Sequence, residues 1–128
     1  MNLTAVKAIV SEFSGIDIQL HSISRNREET LGIYPRRGNR AKREIIGADS
    51  NRAYEICSVT LLLRLGRDGV QAEDKAAQLY KALSRATFEF DGRKGFVMAA
   101  YDAPVWLGMD SRGVFEYAVD LDFYCELN

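Results

Sequence analysis

The residue types that could do chemistry here are a run of bases, three carboxylates, one histidine and two cysteines. The bases are concentrated in one segment that holds Arg36, Arg37, Arg40, Lys42 and Arg43. Clustered basic side chains bind phosphates and carboxylates through charge-assisted hydrogen bonds. The segment therefore indicates contact with duplex DNA, an ion-paired junction with another protein surface, or a solvated loop, and all three interpretations stay open.

The three carboxylates belong to Glu116, Asp120 and Asp122, which share one face of the last predicted strand. Paired carboxylates can serve acid–base or metal chemistry. On a strand they are more often its solvated side, and no histidine or further carboxylate motif joins these three. We therefore treat them as candidate interface residues and expect no metal site.

The histidine, the cysteines and a short glycine-flanked segment do not form a catalytic constellation. His21 falls on the polar side of a short predicted strand and has no recognisable nucleophile context. Cys57 and Cys125 fall on apolar faces of long predicted strands, so we expect buried free thiols. Residues 92–95, Gly-Arg-Lys-Gly, lack the spacing of a phosphate-binding loop. Neither an enzyme nor a bound cofactor is expected.

Length and composition bound the class of protein. The 128 residues carry 17 bases and 18 acids, which gives a formal net charge of −1. That length fits a single domain with its own core, and 47% apolar residues exclude disorder of the whole chain. No apolar run approaches the ~20 residues of a membrane-spanning helix, and no secretion signal is visible. The near-zero net charge also argues against a general nucleic-acid binder.

The charge is unevenly distributed along the chain. Between Arg25 and Arg43, seven bases and two acids give a local charge of +5. From Asp102 to Asn128, one base and six acids give −5. A chain with a positive segment and a negative end is a candidate for head-to-tail contact with copies of itself.

Hydrophobic periodicity predicts one α+β domain over residues 1–128, with two helices packed on one face of a mostly antiparallel sheet. The helices are predicted over 3–13 and 70–86. Strands are predicted over 16–21, 31–35, 53–65, 88–90, 95–101, 103–107 and 114–127. Hairpin-type links in the second half favour antiparallel pairing. Residues 36–52 offer little to a core and predict a long, mobile, basic loop between the early strands.

Two aromatic residues are candidate interface anchors. Tyr34 precedes Pro35, which lacks an N–H and so ends its strand or confines it to an edge. Trp106 lies in a short predicted strand. Aromatic side chains are enriched at the energetic centres of interfaces, but core or edge packing explains both residues equally well.

Several stretches of the chain resemble a family of phage proteins. They are Leu-Gly-Ile-Tyr-Pro at 31–35, Leu-Arg-Leu-Gly at 63–66, Glu-Asp-Lys-Ala-Ala-Gln-Leu-Tyr-Lys-Ala-Leu at 73–83, and Phe-Glu-Tyr-Ala-Val-Asp-Leu-Asp-Phe-Tyr at 115–124. In this order they resemble the minor capsid proteins of tailed bacteriophages and prophages, which are similar to tail terminator proteins.

The resemblance implies a small α+β subunit that assembles into a homo-oligomeric ring, which is a hexamer in tail terminators. Such a ring caps the tail tube, so the implied partners are copies of itself, the tail-tube protein and head connector proteins, with no membrane. It implies a structural, non-enzymatic virion protein at the head–tail junction, either a tail terminator or a neck or minor capsid component, that is assembled in the bacterial host cytoplasm. Residues 36–43 would then face duplex DNA in the ring lumen or a neighbouring subunit. The alternative is a nucleic-acid-binding accessory protein that acts through the basic segment.

Overall fold

The chain folds into two helices and one sheet. The computed structural model describes residues 1–36, 43–46 and 52–127. Within them the elements are α1 (Leu3–Ser11), β1 (Ile18–Leu20), β2 (Glu29–Pro35), β3 (Arg43–Ile46), β4 (Arg52–Leu65), α2 (Gly69–Leu83), β5 (Thr87–Phe90), β6 (Arg93–Ala99), β7 (Val105–Met109) and β8 (Phe115–Glu126). The predicted α+β class with two helices is confirmed. None of the helices in these residues is long and apolar enough to cross a membrane.

Helix α1 begins at an asparagine cap and buries one apolar face. The Asn2 side chain accepts a hydrogen bond from the Ala5 N–H at 3.0 Å, which satisfies one of the free donors of the first turn. Val6, Ile9 and Val10 are buried on the face that meets the sheet.

Helix α2 is built in the same way. Its cap is Asp68, whose carboxylate accepts from the N–H groups of Val70 and Gln71 at 3.1 and 3.2 Å. The buried stripe consists of Ala72, Ala76, Leu79 and Leu83.

The eight strands form one sheet around the long β4–β8 pair. These two strands run antiparallel from Tyr54 opposite Glu126 to Arg64 opposite Glu116. The main path of the sheet is β1-β2-β4-β8-β6-β5, with β3 beside β4 and β7 beside β8. The first half of β4 therefore pairs with β3, and its second half pairs with β2.

The sheet is mixed, which corrects the expectation of a mostly antiparallel one. Strand β1 runs parallel to β2, with Ile18 opposite Leu31 in the register. Residues 21–28 carry the chain from the end of β1 back to the end of the sheet where β1 begins, so β2 runs in the same direction as β1. A hairpin would have made the two strands antiparallel, whereas parallel neighbours need such a crossover. The bend begins at His21, whose φ is 60° and whose N–H still donates to the Ile33 carbonyl at 2.9 Å.

The segment predicted as a long basic loop contains a strand. Residues 43–46 form β3, which pairs antiparallel with residues 52–55 of β4. Two β-branched residues, Ile45 and Ile46, favour an extended backbone there. Residues 37–42 and 47–51, the other parts of the predicted loop, lie outside the described residues.

The core lies between the two helices and the facing side of the sheet. Leu61 lies opposite Val119 and Val59 opposite Leu121, and all four side chains are buried. Buried residues of both helices belong to the same apolar cluster, so both helices cover one face of the sheet, as predicted.

Gly95 tests the packing of this core. A Cβ there would overlap the backbone carbonyl oxygen of Tyr124 and the ring of Phe88. We expect Gly95→Ala to lower the free energy of unfolding by about 1–3 kcal/mol in urea denaturation, because the backbone of β8 must shift. Gly15→Ala is the control, since nothing lies within 4 Å of its Cβ position and no loss is expected. Equal stability of the two variants would contradict this packing.

Candidate assembly surfaces

The side of the β4–β8 ladder that points away from the helices carries a row of polar side chains. Asp122 lies opposite Ser58, and Asp120 lies opposite Thr60. The Ser58 hydroxyl donates to Asp122 Oδ1 at 2.6 Å, and the Thr60 hydroxyl donates to Asp120 Oδ1 at 2.5 Å. Arg36, which follows β2 directly, forms an ion pair with Asp122. These cross-strand contacts fix both carboxylates in place.

Two residues predicted to contact other molecules therefore contact each other within one chain. The Arg36 side chain is 14% exposed and that of Asp122 is 24% exposed, so the pair is largely shielded from water. The ion pair neutralises one base of the basic segment. A further role for either residue at an interface stays a prediction.

The third predicted carboxylate, that of Glu116, lies beside a fully buried base. The Arg64 side chain is 0% exposed, with Nη2 at 2.8 Å from Asp110 Oδ2 and Nη1 at 3.3 Å from Glu116 Oε2. Its Nε donates to the Arg27 carbonyl at 3.3 Å, and its Nη2 donates to the Arg25 carbonyl at 3.5 Å. Four acceptors on three segments of the chain thus converge on one guanidinium.

Sequence reasoning missed this guanidinium cluster. The signal that could have found it is a lone base inside the apolar run from Leu61 to Leu65. A charge in such a position must be paired and hydrogen-bonded, because burying it alone is prohibitively costly.

Asp110 is held by the turn that links β7 and β8. Its Oδ1 accepts hydrogen bonds from the N–H groups of Val114 at 3.0 Å and Arg112 at 2.8 Å. The pKa of Asp110 falls from 3.8 to about 2. The hydrogen bond from the Val114 N–H contributes most to this lowering, and Arg64 contributes a further part of it. The carboxylate therefore stays ionised as the partner of Arg64 at all but very low pH.

A cleft of about 720 Å³ opens between the first half of α2 and strand β7. Its lining is mostly small or apolar: Gly69, Val70, Ala76, Ala77, Ala103, Pro104, Trp106, Phe115 and Tyr117, with the acids Asp68 and Glu73. The Trp106 side chain, a predicted interface anchor, is 60% exposed and lines this cleft. It is therefore not a core residue of the folded chain.

Large apolar side chains are exposed on strand β7 (Val105, Trp106, Leu107 and Met109) and at Val70 and Tyr101, and of these Val70 and Trp106 line the cleft. Strand β7 contains a bulge between Trp106 and Gly108, and Gly108 has a φ of 110°. Sequence reasoning singled out only the tryptophan, although the run from Ala103 to Met109 holds no charged residue. From the sequence alone, an uncharged run of this kind predicts a buried strand, because the position of the strand in the sheet is not known.

The other predicted site residues are Tyr34 and four bases. Tyr34 is half-buried on β2, opposite Thr60 in the register. Arg43 lies on β3, opposite Glu55. Three predicted bases lie outside the described residues: Arg37, Arg40 and Lys42. The structure thus brings Tyr34 and Arg36 to the face of the three carboxylates, whereas Trp106 lies at the β7 edge.

The thiols and the histidine do not form a site. Cys125 is buried, as predicted, and Cys57 is half-buried against the core. Burial raises the pKa of each thiol, so both are poor nucleophiles. His21 is exposed. In the described part of the chain, no group of three or more His, Cys, Asp or Glu residues could hold a metal ion.

The chain is similar to known proteins in sequence family and in fold. A family model described as bacteriophage tail terminator protein matches residues 15–126. A solved structure that carries only a sequence identifier as its name is 12% identical, with a TM-score of 0.53 over 100% of this chain and 98% of that chain. At that identity the likeness shows the fold alone. No curated protein matches the sequence.

The buried guanidinium can be tested by one substitution. We expect Arg64→Met to lower the free energy of unfolding by about 3–5 kcal/mol, because two carboxylates and two carbonyls lose their partner. The control is Arg67→Met, which removes an exposed pair with Glu28 and should cost less than about 1 kcal/mol. Chemical denaturation of both variants checks this. Similar losses in the two would mean that the buried pair contributes no more than a surface one.

Asp110 predicts an acid dependence of stability. Since its pKa in the folded chain, about 2, lies below the ordinary 3.8, its ionised form stabilises the fold fully above pH 3.8. That contribution is lost as the pH falls towards 2. We expect Asp110→Asn to flatten the decline of the unfolding free energy in this range, whereas Asp102→Asn, at an exposed position, should leave the wild-type slope. An unchanged slope in Asp110→Asn would refute the role of this carboxylate.

Proposed function

The chain belongs to the bacteriophage tail terminator family, and from this we propose that it forms a homo-oligomeric ring, a hexamer, at the head–tail junction. The family match makes it a structural protein of the phage tail and a component of the virion. The ring, its position and its assembly in the host cytoplasm are our proposals. The proposed partners are further copies of the chain, the tail-tube protein and head connector proteins.

The proposed mechanism is geometric and needs no reaction. A tail tube grows because each added ring of subunits presents the same surface as the one before. A terminator ring presents one surface complementary to the tube end and a different surface on its far side. Binding therefore stops addition of tube subunits and creates a docking surface for the connector.

The observation that supports the ring most directly is the exposed apolar surface of strand β7. Four of its five side chains are exposed and apolar, among them Trp106 and Leu107. Monomers rarely leave a contiguous apolar patch of more than a few hundred Å² in water, and larger patches mark protein contacts. A subunit that is always assembled in its working state would keep such a patch covered.

Ring symmetry would bring together the basic segments of all the subunits. A ring multiplies the local charge of each subunit, so a nearly neutral chain can still present a positive channel to DNA. Within the described residues Arg36 is neutralised by Asp122, so the proposed lumen charge rests on Arg37, Arg40, Lys42 and Arg43. The alternative of a nucleic-acid-binding accessory protein rests on the same bases, and no contact of the described residues favours it.

Termination of tube growth tests the proposal. Purified tail-tube protein of the same phage is allowed to polymerise alone and with increasing amounts of this chain. We expect tube length, measured by electron microscopy, to become short and uniform, because each occupied end stops growing. Tubes of the same unlimited length at saturating amounts of the chain would overturn the proposed function.

A further inference from the structure

We propose that strand β7, with the cleft beside α2, is one half of the subunit contact in the ring and that the β1 edge of the next copy is the other half. The inference rests on the proposed function and names the surfaces that build the ring. A ring brings two different surfaces of the same chain together, because a self-complementary surface closes a dimer instead.

Strand β7 has one open edge. The strand pairs with β8 on one side, and no described strand pairs with its other side. Natural proteins protect such edges with charged side chains, prolines, bulges or short strands. Strand β7 has a bulge between Trp106 and Gly108, but from Val105 to Met109 there is no charged residue and no proline, and the side chains at four of the five positions are exposed and apolar. The edge is therefore suited to receive another strand.

The exposed apolar area is large. The six exposed apolar side chains on β7, at Val70 and at Tyr101 together present roughly 600 Å² of surface, since the larger ones amount to 150–250 Å² each when fully exposed. Those on β7 are divided between the two faces of the strand, as Val105 lies opposite Ala118 and Trp106 opposite Tyr117. A standard interface buries about 800 Å² on each partner, and a strand added to this edge would cover side chains on both faces of β7.

The direction of the strands indicates which surface of a second copy would pair with the open edge of β7. In the half of the sheet that contains the cleft, the strands lie in the order β1-β2-β4-β8-β7, so β1 and β7 are its two outer edges. Strands β2 and β8 run against β4, β1 runs with β2, and β7 runs against β8. When equally oriented copies stand side by side, β7 therefore meets the next β1 in antiparallel direction, which is the favourable pairing.

Cysteine cross-linking tests the pair of edges. A chain that carries both Gln19→Cys on β1 and Leu107→Cys on β7 is oxidised mildly and separated on a non-reducing gel. We expect a ladder of covalent multimers that ends at the size of the ring, because each copy offers one thiol to each neighbour. The two single variants and the wild-type chain, whose own thiols are buried or half-buried, should stay monomeric on the gel.

A charge at the same edge gives a second measurement. Leu107 is 54% exposed, so Leu107→Glu leaves the fold of the chain intact. We expect it to raise the protein concentration needed for assembly by about tenfold or more in light scattering, because an unpaired carboxylate is buried in the contact. Met98→Glu is the matched control, since Met98 is 52% exposed but lies on β6, away from the cleft. It should assemble like the wild type.

The outcomes separate this inference from the proposed function. Wild-type rings that give no ladder would show that other surfaces close the ring, and only the inference would fall. Dimers from Leu107→Cys alone would show β7 pairing with itself and would also overturn it. Rings of Leu107→Glu that no longer stop tube growth would assign the cleft to the tube protein instead. A wild-type chain that neither assembles nor stops tube growth would end both proposals.

Discussion

The rest of the structure depends on the buried guanidinium of Arg64. A charged group that is buried away from water needs ion pairs and hydrogen bonds to stabilise it. The guanidinium of Arg64 has them from two carboxylates and two backbone carbonyls. The carbonyls belong to the segment that follows β1, and Asp110 belongs to the turn that follows β7. One side chain on the central strand thus fixes the chain beside both edges of this half of the sheet. In our account these are the edges at which neighbouring subunits meet.

The division of the sheet into two faces follows from the period of the long strands. Alternate residues of β4 and β8 pack under the helices, and the residues between them form the polar row of the outer face. On that row the carboxylates of Asp120 and Asp122 accept hydrogen bonds from Thr60 and Ser58 of the neighbouring strand. These hydrogen bonds hold both carboxylates in place, and Arg36 neutralises the charge of Asp122, whereas the exposed apolar surface lies elsewhere, at β7.

Periodicity predicted what is local and missed what depends on distant neighbours. Both helices, β4 and β8 follow from the spacing of apolar residues, and so does the buried thiol of Cys125. The parallel partner of β1 could not be predicted, because a strand's own residues do not specify the direction of its neighbour. The ion pair of Arg36 and Asp122 joins residues 86 positions apart, and the acceptors of Arg64 lie between 37 and 52 positions from it. Trp106 stays a candidate interface anchor, and the exposure of the strand around it is visible only in the fold.

The central claim is that this chain forms a ring at one end of a tail tube. Image averaging of tube ends by electron cryomicroscopy, after polymerisation in the presence of the chain, measures this directly. We expect a single closed ring of additional density at one end of each tube, with β7 of every subunit against the β1 edge of the next. Bare ends, or density of the chain distributed along the tube wall, would contradict it.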